Sequence, residues 1–447
     1  MALMVVALMV GCAGESYPGL EYDYVLNEDI INTEGDPSKM RGRPIEIFAS
    51  PQSFATTTRG VGPFDMPDTT RRDSNHYENA RLYIFAFRDT LDYQGFGRPN
   101  YTKHSNDAND REVSCLIDDQ DKPHGMLARF DFGRTGKLHM KQRTERLDTT
   151  LYYSATHPDV GYNFFVYNVD DMPLEGRMHR DETGVWYDAE IDGTQDLMCG
   201  HSPLLTPEVL DSAFKEQASR LTLDERNHVL NIGNFSGYAA RYDIHPYVEL
   251  EHALTRLRFR AYAADKSADS VFIDSIIVNS RYKGEFHVVA PYPDNIGVTF
   301  TDERKDLLLM DYPVDTMHQG IKPNIPLTPE RCKVQWDYTK ERQDTLRIGA
   351  DMLLPTDTEF GMTIIYRQIL KSINSDTGEN DINRVEAHYR LKAPAAKVNL
   401  DPETEQYFYR RGQTYNVTLG VYGLRLIEVS ISLDGWEQEE EIIMPEY

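Results

Sequence analysis

Short stretches of apolar residues recur along most of the chain, and their spacing predicts β-strands rather than helices. Residues 80–90, ARLYIFAFRDT, are apolar on both faces of an extended chain, as expected for a strand inside a sandwich. In residues 415–421 and again in 427–433, apolar side chains occupy every second position. Turn-forming residues separate these stretches, which is typical of an all-β protein built from short strands.

An isolated strand pattern precedes the others near the N-terminus. Ile45, Ile47 and Ala49 share one face of a short extended segment, and a polar loop rich in threonine and glycine follows. This loop contains Arg59 and Gly60 and ends before the next strand pattern. An arginine in such a loop can be bound in extended form by a protease.

One helix is predicted, at residues 206–221. Thr206 suits its N-cap and Pro207 its first position, because a proline lacks the N–H that has no helical partner there. The helix lies in a loop-rich region, about residues 168–240, which we expect to be an insertion in the first domain.

A second series of strands starts near Tyr247. Between Leu254 and Leu257 the apolar alternation changes phase by one residue, which predicts a β-bulge. Because DIHP at residues 243–246 interrupts the strand pattern, we place a domain boundary near residues 242–247. Two all-β sandwiches of about seven strands each are therefore expected. The predicted divisions are 1–12 (lipoprotein signal peptide), 13–59 (tether and removable first strand), 60–245 (N-terminal sandwich) and 246–447 (C-terminal sandwich with a possible donor strand).

The first twelve residues resemble a bacterial lipoprotein signal. An apolar core runs from Ala2 to Cys12, small residues precede the cysteine, and Cys12 is the predicted lipidation site. The core is short and has no Lys or Arg before it, which an upstream start codon would explain. A thiol-linked lipid together with an N-terminal acyl chain such as palmitate gives stable anchoring in the outer membrane.

The composition favours β structure, and the net charge limits which kinds of molecule the protein can bind. The chain has 27 tyrosines and 3 tryptophans, and tyrosine favours pleated, half-buried surfaces. The formal net charge of −25 argues against nucleic acid as a partner, because phosphate contacts need clustered Lys and Arg. The same charge helps to keep an exported protein in solution.

The sequence contains no catalytic or cofactor-binding motif, so we expect neither an enzyme nor a cofactor. His245 and His252 are seven positions apart on a predicted strand and therefore lie on opposite faces, which is wrong for a shared metal. Two acidic stretches, 118–121 and 376–383, are rich enough in oxygen for calcium but lack EF-hand spacing. The remaining cysteines match no zinc motif, and we expect buried thiols with at most one disulfide. They are Cys115, Cys199 and Cys332.

Three features in this order resemble the fimbrillins, the pilin subunits of type V pili of Bacteroides-like bacteria. They are the lipobox cysteine, the arrangement of strand, TTTRGVG and strand, and the strand sequences in residues 352–366 and 410–436. The resemblance implies two tandem transthyretin-like β-sandwiches that are exported as a lipoprotein and trimmed by an arginine-specific protease. The resemblance is weakest in residues 100–240.

The resemblance also implies an assembly mechanism. Cleavage between Arg59 and Gly60 would remove the first strand and open a groove, which an extended segment of another pilus subunit could fill. Cleavage at Arg71 or Arg72 would have the same effect, whereas cleavage at Arg41 or Arg43 would spare the strand. The candidate donor residues are Ile427, Val429, Ile431, Leu433, Ile442, Ile443 and Met444.

These features predict a structural pilus subunit that lies on the outer membrane or cell surface and supports adhesion. Host or bacterial surface ligands are further predicted partners. A pilus tip or anchor subunit is an alternative. A second alternative is a monomeric surface lipoprotein that binds glycans through the aromatic loops at residues 92–101 and 183–190.

Overall fold

The structure is a computed structural model, and its strands confirm the all-β class. It describes residues 42–51, 81–89, 99, 101–102, 115–119, 122–130, 137–141, 149–268, 270–313, 322–340, 343–373, 380–397, 399–402 and 404–433. Cys12, Arg59, Gly60 and the trio Ile442, Ile443 and Met444 lie outside these residues.

An eight-stranded sheet organises the N-terminal half, in the order β1-β10-β9-β6-β2-β4-β5, with β3 beside β2. The first strands are β1 (Phe48–Pro51), β2 (Leu82–Arg88), β3 (Cys115–Ile117), β4 (Met126–Phe130) and β5 (Leu138–Lys141). They are joined by β6 (Tyr162–Asn168), β9 (Met198–His201) and β10 (Tyr247–His252). Every residue of β2 and β6 is buried, as the apolar character of both faces of residues 80–90 predicts.

Both faces of this sheet are covered. A four-stranded sheet lies on one face and shares an aromatic core with it around Phe85, Tyr167 and Phe286. On the other face pack helices, whose Leu210, Val229 and other apolar side chains meet the sheet in a second core. The covering strands are β7 (Met178–Asp181), β8 (Gly184–Glu190), β13 (Lys283–Val289) and β14 (Gly297–Phe300).

The described part of the chain contains four α-helices: α1 (Pro207–Ser212), α2 (Lys215–Ala218), α3 (Leu223–Ile232) and α4 (Gly237–Ala240). Thr206 caps α1 and Pro207 begins it, which confirms the predicted start. The helix is shorter than predicted, and α3 follows with its own capping box between Thr222 and Glu225. Because α3 buries only Val229, its apolar periodicity is too weak to reveal it in the sequence. None of the described helices is long and apolar enough to cross a membrane.

A second sandwich follows, with its core between a four-stranded and a five-stranded sheet. The four-stranded sheet has the order β19-β11-β22-β23, and the five-stranded sheet has the order β15-β12-β20-β21 with β18 beside β12. The ranges of the first sheet are β11 (Thr255–Ala263), β19 (Leu346–Leu354), β22 (Thr414–Tyr422) and β23 (Leu426–Leu433). Those of the second are β12 (Val271–Arg281), β15 (Arg304–Leu308), β18 (Lys333–Val334), β20 (Glu359–Ile373) and β21 (Asn380–Pro394). Short strands β16 (Met310–Asp311) and β17 (Ile325–Pro326) pair separately, and 3-10 turns occupy Lys266–Ala268 and Pro293–Asn295.

Among the described strands, three pairings cross residue 246. β10 pairs with β1 and with β9, and β13 pairs with β8, so these strands of the C-terminal half extend the sheets of the N-terminal half. The change of phase near Leu254 is not the predicted bulge. The chain leaves the first sheet after His252 and enters the second sandwich at Thr255. β10 buries alternate residues, whereas the first five residues of β11 are all buried, so the two strands do not share one alternation.

Candidate functional site

The N-terminal strand lies between the two ends of the first sheet. On one side β1 pairs in parallel with β10, from Phe48 opposite Tyr247 to Pro51 opposite Leu250. On the other side, the Leu138 N–H of β5 donates to the Ile47 carbonyl over 2.8 Å. β1 therefore links the strands at opposite ends of the same sheet.

Residues just before β1 continue this contact. The Ile45 N–H donates to the Leu151 carbonyl over 2.8 Å, and the Tyr153 N–H donates to the Arg43 carbonyl over 2.9 Å. Gly42 lies so close to this segment that a Cβ there would stand 1.7 Å from the Tyr153 carbonyl oxygen. The N-terminal segment thus fits closely along residues 151–153.

The inward side chains of the strand fill the core beneath it. Ile45 is 4% exposed, Ile47 is completely buried, and both pack in the cluster that includes Val248 and Leu250 of β10. Burial of two isoleucine side chains contributes roughly 3–6 kcal/mol. Loss of the strand would return this apolar surface to water and leave a groove between β10 and β5.

Charged groups flank the strand where it meets the solvent. Glu46 pairs with Lys137 at 3.0 Å, and both side chains are about three-quarters buried. The His245 ring lies 6.4 Å from the Phe48 ring, centre to centre. Burial lowers the pKa of His245, while the nearby carboxylates of Glu46 and Asp243 oppose that effect. A neutral histidine therefore borders the strand at pH 7.

The candidate donor residues of β23 are part of the second sandwich. Ile427 and Ile431 are buried in its core, and Val429 and Leu433 pack against that core. β23 pairs with β22 and forms one edge of its sheet. Their role as donors to another subunit stays a prediction.

A cavity of about 440 Å³ opens beside this edge. Val429 and Ile431 of β23 line one side, and Thr358 and Glu359 at the start of β20 line another. The end of β21 and the residues after it complete the lining: Pro394, Ala395, Ala396, Lys397, Glu405, Gln406 and Tyr407. The second sandwich thus has an open apolar corner next to an edge strand.

A row of rings crosses the outer face of the covering sheet. Trp186 of β8 lies directly opposite His179 of β7 and His287 of β13, with ring centres 5.5 and 6.0 Å away. The His179 Nε2 atom is 2.7 Å from an Asp188 oxygen, and the His287 Nε2 atom is 3.4 Å from Glu285. All these side chains are at least partly exposed, so the row can meet a ligand from solution.

Other aromatic residues proposed for glycan contact are interior. Tyr187 is completely buried, because residues 184–190 form a strand rather than the predicted loop. Tyr101 is 2% exposed and packs on Phe87 with ring centres 4.9 Å apart. Residues 92–98 lie outside the described residues. Among the described aromatic residues of these two stretches, Trp186 alone is not buried.

The three described cysteines and Asp118 are buried inside the protein. Cys115, Cys199 and Cys332 are buried free thiols, and burial raises the pKa of Cys199 to about 12 and that of Cys332 to about 11. Such thiols are poor nucleophiles. Asp118 is buried and accepts a hydrogen bond from Arg180 over 2.7 Å, so it is the partner of an ion pair.

His252 pairs with a carboxylate inside the protein. Its Nδ1 atom lies 2.9 Å from an oxygen of Asp196, and both side chains are completely buried. Within the described part of the chain, no three His, Cys, Asp or Glu side chains are grouped for a metal ion. Residues 376–379 lie outside that part, and residues 380–383 belong to β21.

Two parts of this site have no local signal in the sequence. β1 pairs with β10, some two hundred residues away, and with β5 across a gap of about ninety residues. Alternation at Ile45, Ile47 and Ala49 indicates which face is buried, but alternation carries no information about the partner strand. The row around Trp186 also forms only when the hairpin of β7 and β8 pairs in register with β13, which lies far along the chain.

No protein-family profile and no curated protein matches the sequence. Among solved structures, a candidate cell adhesion protein from Bacteroides ovatus aligns over 90% of this chain and 100% of its own, at 11% identity and a TM-score of 0.40. A candidate cell adhesion protein from Bacteroides uniformis aligns over 88% and 98%, at 12% identity and a TM-score of 0.37. The fimbrial anchor protein Mfa2 from Porphyromonas gingivalis aligns over 88% and 98%, at 12% identity and a TM-score of 0.28. The chain is thus similar to adhesion and fimbrial proteins of the kind that its sequence resembles, at values too low to assign a family or a function.

Proposed function

We propose that this protein is a fimbrial subunit on the cell surface that joins its neighbour by strand exchange and supports adhesion. It is exported as a lipoprotein, anchored in the outer membrane through Cys12, and cut between Arg59 and Gly60 by an arginine-specific protease. The segment 13–59 then leaves together with β1. The observation that carries this proposal is the position of β1 between the two ends of the first sheet.

Removal of β1 would create a groove that can accept a strand from another subunit. It frees the carbonyl groups of Pro246 and Leu151 and the N–H groups of Leu138 and Tyr153, which now bond to the N-terminal segment. Unpaired groups on both sides of an apolar groove favour the addition of an extended strand. Alternate pockets that now hold Ile45 and Ile47 would fix the register of the incoming strand.

The donor is drawn from the C-terminal segment of the neighbouring subunit. Withdrawal of β23 would expose Ile427 and Ile431, which are buried in the second sandwich. Ile442, Ile443 and Met444 follow β23 along the chain and can act without that loss. Pro445 comes directly after them and cannot donate to a ladder, so it limits the length of the donor.

The test is limited proteolysis of the chain from Ala13 onward with an arginine-specific protease. We expect a new N-terminus at Gly60 and ladders of stable multimers on electrophoresis. Arg59→Gln should block both, while the control Arg43→Gln should block neither. Cleavage at Arg71 or Arg72 instead would still remove β1, so it would support strand exchange but place the cut site elsewhere. A product that stays monomeric, or is cut only before Pro44, would contradict the stalk mechanism.

A tip or anchor position is the alternative within the same pilus. An anchor keeps its lipid and its first strand, so the intact chain would resist the protease and remain bound to membranes through Cys12. A tip subunit would accept or donate only one strand. Mixing cleaved protein with intact protein separates these positions, because an anchor or tip ends a polymer that a stalk subunit extends.

Glycan binding by a monomeric lipoprotein is the second candidate, favoured by the row around Trp186. Aromatic side chains with nearby carboxylates are suited to the apolar faces and hydroxyl groups of sugars, and tryptophan is a frequent anchor in recognition sites. A glycan array would show binding that Trp186→Ala abolishes and His388→Ala, on exposed β21, retains. An array without any bound glycan would remove this candidate.

A further inference from the structure

We propose that residues 434–447 of this chain dock on its own second sandwich, with Trp436 in the cavity beside β23. These residues lie outside the described part of the chain and follow β23 directly. The docked segment would add a strand to the edge of a sheet. The docking goes beyond the proposed function and does not depend on cleavage at Arg59.

The cavity lies where the edges of two sheets meet. Among the described strands, β23 pairs with β22 alone and β21 pairs with β20 alone, so each ends its sheet. The cavity has a volume of about 440 Å³, and its lining includes Val429 and Ile431 of β23 and Ala395 and Ala396 after β21. Cavities of this volume are in the range that binds apolar groups. The corner therefore has room for one more strand and a large apolar side chain.

Apolar side chains around this cavity are accessible. Tyr407 lines it and is 36% exposed, and Leu400, which lies directly opposite Tyr407 in an isolated β-bridge, is 52% exposed. Val429 and Leu433 pack against the core of the sandwich but are only partly buried. An edge strand with accessible apolar neighbours favours the addition of a further strand.

A tight turn can return the chain along β23. Asp434 and Gly435 directly follow Leu433, the last residue of β23. Asp-Gly is a preferred pair for two-residue hairpin turns, because both positions need a positive φ. Such a turn places Trp436 opposite Leu433, on the inner face of the sheet. A tryptophan there reaches the diagonal position, Ile431, which lines the cavity.

The same register suits the polar residues of the inner face. Gln438 and Glu440 alternate with Trp436 along the returning strand. Lys397 and Gln406 belong to the lining of the cavity and are polar partners of the kind that these two side chains need.

On the outer face the segment meets positive charge. The strand register places Ser430, Arg260 and Arg347 in one row across the sheet. Arg260 and Arg347 lie directly opposite each other, and like charges in that arrangement are destabilising. Arg347 also pairs with Asp351 over 2.9 Å, which offsets one of the two charges. Glu439 would extend this row by one strand and add a charge of the opposite sign.

The chain's own segment is a better occupant of the corner than a segment of another molecule. Only the two-residue turn separates Trp436 from β23, so closing the loop costs little entropy. The local concentration of a tethered segment is also high and does not change on dilution. A segment of a second copy would have to reach the corner by diffusion.

Docking would make the segment latent in the proposed polymer. Ile442, Ile443 and Met444 belong to the same segment, and along β23 they could not reach another subunit. This consequence rests on the proposed function, whereas the docking itself does not.

Tryptophan fluorescence of the intact monomer from Ala13 onward tests the docking without any protease. The chain has three tryptophans, so the difference between the wild type and Trp436→Phe isolates the signal of Trp436. We expect a blue-shifted difference spectrum that acrylamide quenches weakly, as for a buried indole. A spectrum and a quenching constant equal to those of a peptide with residues 434–447 would overturn the proposal.

The turn offers a matched pair of variants that leave β23 unchanged. Asparagine tolerates a positive φ and valine does not. Gly435→Asn should therefore keep Trp436 protected, while Gly435→Val should raise its quenching constant several-fold. Each variant needs its own Trp436→Phe reference. Equal quenching in the two variants would contradict the hairpin.

A second pair of variants tests the cavity. Val429→Asp places a charge in the lining and should expose Trp436 to acrylamide, whereas Val385→Asp, on edge strand β21 and 39% exposed in the wild type, should not. The turn variants decide the matter if Val429→Asp does not fold. Quenching that increases when the wild type is diluted would show that Trp436 docks on a second copy, and would also overturn the proposal. If cleaved wild type fails to polymerise, the proposed function is wrong while the fluorescence result stands.

Discussion

At the residue scale, Asp170 shows how a buried charge makes stability depend on pH. Burial raises its pKa to about 6, although Lys322 lies 3.0 Å away and opposes the shift. The folded state therefore binds a proton between pH 4 and 6 that the unfolded state has released. Stability from this group is greatest near pH 4, falls as the pH rises to about 6, and stays reduced above that.

Replacement of this carboxylate should remove that pH dependence. Asp170→Asn keeps an acceptor for the Asp196 N–H, and it should raise the free energy of unfolding at pH 8 relative to pH 4.5 by about 2 kcal/mol compared with the wild type. Urea unfolding at the two pH values measures this. Lys322 has a second partner, Asp171, whose side chain is 59% exposed. Asp171→Asn should leave the difference in unfolding free energy between the two pH values as it is in the wild type. An equal effect of both variants would show that the ion pair, rather than burial, controls the dependence.

At the element scale, the first strand should be held mainly by its inward side chains. Ile47 is completely buried, and its truncation to alanine costs about 2–5 kcal/mol. After cleavage at Arg59 the fragment with β1 would be held by non-covalent contacts alone, and these buried side chains are expected to contribute most of its binding energy. Ile47→Ala should therefore speed its dissociation at least thirtyfold, measured by size-exclusion chromatography after proteolysis. Glu46→Gln removes only a partly exposed ion pair and should change the dissociation rate of the fragment little. Equal dissociation rates for the two variants would contradict the role of the groove.

Local sequence patterns predicted where strands and helices lie better than they predicted which strands pair with each other. Thr206 and Pro207 marked the start of α1 because capping depends on residues next to each other. The apolar character of both faces likewise identified β2 as an interior strand. The parallel pairing of β1 with β10 depends on long-range closure, which no local pattern encodes. The passage from β10 to β11 produced the same change of phase as a bulge, so alternation alone could not separate them.

At the scale of the whole molecule, the two sandwiches share strands rather than meeting as separate units. β12 belongs to the second sandwich, yet β13, which follows it directly, pairs with β8 in the first half. The Leu353 N–H of β19 donates to the Gly193 carbonyl over 2.8 Å, which adds a second link. In the proposed polymer, such continuity would transmit tension between the groove left by β1 and the C-terminal segment.

The strongly negative net charge, which is −25 for the full chain, should control how fast the proposed subunits associate after cleavage. Subunits of the same strong charge repel at low ionic strength, and salt screens that repulsion within about 10 Å at 0.1 M. We expect polymerisation of protease-cleaved protein, followed by light scattering, to be several-fold faster at 0.3 M than at 0.02 M sodium chloride. Sodium sulfate at equal ionic strength separates screening from hydrophobic effects, since sulfate strengthens apolar burial beyond its screening. A rate that falls with added chloride would mean that attraction between opposite charges, rather than apolar strand insertion, brings the subunits together.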